Sequence, residues 1–134
     1  MRITTEMELR LWTAWGAIAV ALGIAIGAVG VHVLEGRGMV EGAERWALAG
    51  RYAVVMGLGQ CALAGLRSSW RSSAGLWPER LLAIGLFLFA GGLVWMGCCP
   101  NAWVGQVIPY GGVCMMVAWI WAAGQILIHR DPRR

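Results

Sequence analysis

The sequence predicts an all-α integral membrane protein, an up-down bundle of four transmembrane helices, and three observations carry that expectation. Hydrophobic residues make up 59% of the 134 positions and charged ones 13%, against about 45–50% and about 25% in an ordinary soluble domain. The charges fall almost wholly outside four apolar runs, each near the roughly 20 residues needed to cross hydrocarbon. The connections between the runs are short, and short connections force consecutive spans to alternate in direction.

The helices are expected at about residues 11–34, 46–66, 80–98 and 105–128, a single transmembrane domain covering 1–134. The first run resembles a secretory signal only superficially. Its apolar part exceeds the roughly 7–15 residues of a signal core, and no clean small-x-small cleavage site followed by a polar chain appears. It is therefore read as a retained helix.

Orientation follows from the arginines, which supply all eleven basic residues. Arg2, Arg10, Arg67, Arg71, Arg80, Arg130, Arg133 and Arg134 fall on the side of the N-terminus, second connection and C-terminus, and Arg37, Arg45 and Arg51 on the other. The positive-inside bias then puts both termini in the cytoplasm, with a bacterial inner membrane as the expected location. Spread over tails and connections, these charges form no basic face for nucleic acid. Trp12, Trp15, Trp46, Trp70, Trp77 and Trp103 lie near the span ends, where indole rings favour the interface.

Small residues mark expected helix contacts, because lipid supplies no hydrophobic drive between helices and association rests on close backbone approach. Ala19, Gly23 and Gly27 repeat every four residues, as do Ala53, Gly57, Cys61 and Gly65. Gly91-Gly92 and Gly111-Gly112 open helices three and four to close packing or to a local irregularity. Gly23, Gly27, Gly57, Gly111 and Gly112 are the expected packing positions.

Against this apolar background few side chains carry chemistry. His32 and Glu35 share a helical face three residues apart, at the outer end of helix one, and suit either a titrating site or a hydrated structural role. Arg51 and Tyr52 lie about a turn inside helix two. Arg51 either pairs with Glu35, Glu41 or Glu44, His32 included, or extends its guanidinium to the interface. These four residues form a candidate polar cluster. Met96, Cys98, Cys99, Cys114, Met115 and Met116 are soft donors without a metal-binding spacing, so no metal site is predicted. Cys98 and Cys99 are candidate redox thiols. Pro109 fits a first helical turn at the start of helix four.

No nucleophile with a paired base, phosphate-cradling loop or set of convergent carboxylates is visible. The expectation is a non-enzyme with no cofactor, a bound lipid aside. The leading function is an accessory or assembly subunit associating with a larger membrane complex or with itself. The alternatives are a small transporter or channel, with Thr13, His32, Arg51, Tyr52, Gln60 and Gln125 as its scattered polar side chains, and a metal- or haem-binding membrane redox protein.

The segment Gly27-Ala-Val-Gly-Val-His32-Val-Leu34 resembles the Gly-Ala-Phe-Gly-Ala-His motif ending the first helix of the YgdD-like small bacterial inner-membrane proteins, domain of unknown function four-two-three. Trp46 and Ala49 through Tyr52 resemble the opening of that family's second helix. Phe89-Ala-Gly-Gly-Leu93 is similar to its Phe-Ser-Gly-Ser-Leu, and Gly105 to Gly112, with Trp119, to its Thr-Pro-Ile-Gly-Gly stretch. These pieces span about residues 16–125. The chain departs after Tyr52, where the family usually runs Gln-Met-Tyr-His and Ala53-Val54-Val55-Met56 stands here. The resemblance implies a four-helix inner-membrane fold and no established activity.

Overall fold

A computed structural model describes the backbone of residues 2–70 and 75–128 and the side chains of residues 6–68 and 75–128. Among these residues every regular element is helical: α1 is Arg2–Val29, α2 Val40–Trp70, α3 Trp77–Cys98 and α4 Ala102–Ile128. Between α1 and α2 run one π-helical segment, Gly30–Leu34, and a 3₁₀ turn, Glu35–Arg37. All four α-helices contain stretches long and apolar enough to cross a membrane. They start earlier than the apolar runs, at Arg2 rather than 11, Val40 rather than 46, Trp77 rather than 80 and Ala102 rather than 105. Hydropathy marks only the hydrocarbon layer, whereas good helix formers such as Glu, Arg and Ala carry the backbone ladder beyond it.

The π turn hands over to α2 through Gly38, whose φ of 76° is left-handed and therefore costs glycine least. Gly38 N–H donates to the Glu35 carbonyl at 2.9 Å, and Met39 N–H to the Leu34 carbonyl at 3.0 Å.

Packing runs in chain order, each helix antiparallel to the next. On the α1–α2 seam Gly16 faces Gly57, Gly23 faces Gly50 and Gly30 faces Ala43. A Cβ placed on Gly50 would lie 2.6 Å from the Gly23 carbonyl oxygen, and one on Gly57 2.7 Å from that of Gly16. The α1 partners are spaced by sevens, the period that keeps two helices in register along a shared seam.

Between α2 and α3, Gly42 abuts the Gly97 carbonyl, Trp46 Nε1–H donates to the Val94 carbonyl at 2.9 Å, and Arg45 donates to that of Met96 at 3.0 Å. The Met96 and Gly97 carbonyls belong to the last turn of α3, which has few intrahelical donors left for them. Between α3 and α4, Gly85 and Gly111 meet backbone to backbone, and Gly92 lies against Ile108. The core that results is built of small residues around a few large ones: Ala19, Ala49 and Ala53 with Leu82, Leu86, Ala90, Leu93, Met115 and Ala118.

Two packing expectations change. Gly65 carries open space where a side chain would stand, with no described atom within 4 Å, and Gly112 makes only an ordinary contact with Phe89, whereas Gly27 keeps its place on the seam through its backbone, which lies against Gly50, although its own Cβ direction is open. The seam is organised by a seven-residue spacing, and the four-residue pattern stays beside it through Gly27, whose backbone lies against Gly50, and through Cys61, whose sulfur lies against Gly16, before leaving it at Gly65. Pro109 lies about two turns inside α4, not in its first turn. It therefore offers the Gly105 carbonyl no amide hydrogen.

Candidate functional site

Gly42, Ala49 and Ala53 line the face of α2 turned to α3, and continuing that stripe toward the C-terminal end of the helix brings Gln60 and then Arg67 into the same interior. Opposite them α3 begins with Leu76 in a non-helical conformation and Pro78 in the first turn, a position where the missing amide hydrogen costs nothing. Glu79 follows at once. Its carboxylate thus sits in the first turn, where the helix dipole favours negative charge.

Gln60 and Glu79 are 0% exposed and Arg67 5%. Arg67 Nε forms an ion pair with Glu79 Oε1. The same guanidinium donates to Gln125 Oε1 on α4, so one arginine ties three helices together. Gln60 Nε2 donates to the Glu79 backbone carbonyl at 3.4 Å. Three acceptors, Gln60 Oε1 and both carboxylate oxygens of Glu79, receive no hydrogen bond from the described residues; Oε1 faces the arginine, which leaves Gln60 Oε1 and Glu79 Oε2 without a polar partner among those residues. A buried ion pair of this kind balances charge while each ion still bears a desolvation penalty.

The cluster is not among the expected sites. Gln60 and Gln125 stand there only as scattered polar side chains of the channel alternative, Arg67 as a topology charge, and Glu79 falls just outside the helix expected at 80–98, yet Arg67 and Glu79 both belong to helices and both are buried. The signal in the sequence is the stripe itself, in which a glutamine and an arginine continue a run of small, inward-facing residues on α2.

The expected quartet is not assembled. His32 lies in the π segment and Glu35 in the 3₁₀ turn, both exposed. Arg51 is exposed among Leu48, Val55 and Leu58 on the outward face of α2. The described ion pairs are Arg45–Glu41 at 3.2 Å, Arg67–Glu79, and Arg80–Glu8 at 4.0 Å. Neither Glu35, Glu41 nor Glu44 reaches Arg51, because Gly50 and Ala53 take the inward positions of that turn. Tyr52 turns its ring to Phe89, centroids 4.7 Å apart and planes tilted by 54°.

Cys98 and Cys99 are exposed at the end of α3, and all four cysteines are free thiols. Cys61 Sγ approaches the Thr13 carbonyl at 3.3 Å. Among the described residues no group of three or more His, Cys, Asp or Glu side chains converges as a metal set would. Trp103 is 79% exposed and Trp77 55%, with Arg80 lying 5.5 Å over the Trp77 ring, whereas Trp46 and Trp15 are partly buried contacts. Arg71, Arg130, Arg133 and Arg134, with the side chains of Arg2 and Trp70, lie outside the described residues.

A family profile described as "Protein of unknown function (DUF423)" matches residues 26–112, a stretch that includes Gln60, Arg67 and Glu79 but not Gln125. A UPF0382 membrane protein of Staphylococcus epidermidis is 29% identical over 112 residues, 84% of this chain and 91% of the relative. A second, from Staphylococcus saprophyticus, is 29% identical with 84% and 92% covered. The UPF0382 membrane protein YwdK of Bacillus subtilis is 28% identical over 113 residues, again 84% and 92%. No solved structure matches the chain. Four long apolar helices and relatives named as membrane proteins agree that this is an integral membrane protein.

Proposed function

The chain belongs to the DUF423 family of proteins of unknown function, and we propose from that membership and from the surroundings of α1 that it is a non-catalytic subunit of the bacterial inner membrane. In this reading it assembles laterally, with a larger membrane complex or with further copies of itself, and both termini face the cytoplasm. The arginine distribution supports the orientation.

The observation that carries the reading is the outward face of α1. That helix packs chiefly on α2, and near its N-terminal end it also touches the start of α3, where Leu9 meets Leu76 and Glu8 approaches Arg80. At about 100° per residue, Ala14, Ala17, Ala21, Ala25 and Ala28 gather in a narrow arc opposite the glycines that face α2, and all five are exposed. One helix thus has two small-residue faces, and the described residues cover one of them. Small residues at four-residue spacing are what close helix association in lipid requires.

Mass determination of the protein released into nanodiscs or mild detergent tests this directly. A species heavier than one chain is expected, reverting to one chain in Ala21→Leu/Ala25→Leu. A lone monomer from native membranes would count decisively against the assignment.

A small transporter or channel is the second reading, and the buried Gln60, Arg67 and Glu79 with half-buried Gln125 favour it, since ionisable groups inside a span often mark a pathway. Selective flux into liposomes, abolished by Gln60→Leu, would move the ranking to this alternative.

A further inference from the structure

We propose that Gln60 Oε1 and Glu79 Oε2 together hold one internal water molecule between α2 and α3, a hydration site enclosed within the membrane-spanning part of the chain. Both side chains are wholly buried, and neither oxygen receives a hydrogen bond from a described residue. Two acceptors enclosed without a donor are an unfavourable arrangement, because oxygens withdrawn from bulk water still require a partner. The Gln60 amide is held beside Glu79 by its own bond to the Glu79 backbone carbonyl, so the two acceptors belong to one small neighbourhood.

The occupant is fixed by charge and by donor number. Arg67 already balances the Glu79 carboxylate. An added sodium or ammonium ion would leave a net positive charge with apolar Leu82 and Pro78 as fully buried neighbours in the first turns of α3, a setting that strongly disfavours uncompensated charge. A sodium ion would also want more oxygens than these. A water molecule is neutral, carries two donors for two acceptors, and is the usual partner of otherwise unsatisfied buried polar groups. It would give Glu79 Oε2 a donor without disturbing the ion pair at Oε1, whether the chain serves as an assembly subunit or as a transporter.

The test is water-edited solid-state NMR on the full-length, ¹³C,¹⁵N-labelled protein in lipid bilayers. Magnetisation from mobile or bound water is expected to reach the side-chain Cδ of Gln60 and of Glu79 well before it reaches Leu82, which is 1% exposed and three residues further along α3. Gln60→Leu removes one of the two acceptors and should abolish the early transfer to Glu79. Persistence of that transfer in Gln60→Leu would mean that exchange through the Arg67 guanidinium carries it, which overturns the proposal. So would a Glu79 Cδ as slow as Leu82, or one whose chemical shift is that of a carboxylic acid donating directly to Gln60. Circular dichroism and a Gln60→Asn variant, which keeps the amide but withdraws it by one methylene, guard against misfolding. Gln60→Asn should weaken the transfer without loss of helix, and an unchanged transfer counts against the site.

Discussion

Arg67 on α2 and Glu79 on α3 form an ion pair in which the arginine is 5% exposed and the carboxylate 0%, and the arginine extends the link to Gln125 on α4. Three helices therefore meet at one guanidinium. Removing one partner of such a pair leaves a buried charge uncompensated, which costs about 3–5 kcal/mol. Glu79→Leu and Arg67→Met are each expected to destabilise by an amount of that order, and the double variant Arg67→Met/Glu79→Leu by much less than their sum. Denaturant unfolding in mixed micelles, followed by tryptophan fluorescence, measures the coupling. Strict additivity would show that the two side chains do not act as a pair.

The glycine seam gives a contrast between two positions of identical chemistry. A Cβ at Gly50 runs into the backbone of Gly23 and Gly27, whereas one at Gly27 meets no described atom within 4 Å. Gly50→Ala is expected to lose about 1–3 kcal/mol, the usual cost of overpacking. Gly27→Ala should be neutral or gain up to about 1 kcal/mol from helix propensity. The same unfolding assay ranks them, and equal effects would contradict the seam.

Trp46 closes the far end of the α2–α3 contact by donating to Val94. Trp46→Phe keeps most of the apolar area and loses the donor, for an expected cost of about 1 kcal/mol. Gly97→Ala should cost more, because the new methyl group would collide with the Trp46 ring. A smaller effect for Gly97→Ala than for Trp46→Phe would mean that the ring is not seated against Gly97.

The cysteines report the orientation. Cys98 and Cys99 are exposed at the end of the bundle remote from the start of α1 and the end of α4, while Cys61 lies within α2 against the Thr13 carbonyl. A membrane-impermeant maleimide added to intact spheroplasts is expected to label Cys98 and Cys99 and to leave Cys61 unmodified until the protein is denatured. Labelling of Cys98 and Cys99 only after permeabilisation would invert the proposed topology.

The spans were legible because hydrocarbon thickness imposes a length and a composition that local sequence must satisfy. The small-residue contact between α1 and α2 was half legible. Gly23, Gly27, Gly57 and Cys61 lie along it, but the spacing that organises its closest contacts is seven, which a search at four residues follows on α2 only until Gly65. The polar centre was not legible. Arg67 and Glu79 flank the boundary of an apolar run, where charge ordinarily marks a connection, and their pairing depends on how far α2 and α3 continue past that boundary. Gln60 was visible as an isolated polar side chain, but isolation in sequence says nothing about which helix lies opposite. The His32–Glu35–Arg51–Tyr52 grouping was a nearness inferred from a short connection. The π segment and the inward claims of Gly50 and Ala53 leave His32, Glu35 and Arg51 on the outside.

The spacing of Gly16, Gly23 and Gly30 also bears on how this chain tolerates insertions and deletions. Adding or losing a single residue between two of them rotates everything beyond it by about 100° and swings the remaining glycines away from α2 together. A change of seven residues returns them to nearly the same azimuth, so length variation along α1 is least disruptive in whole steps of the seam.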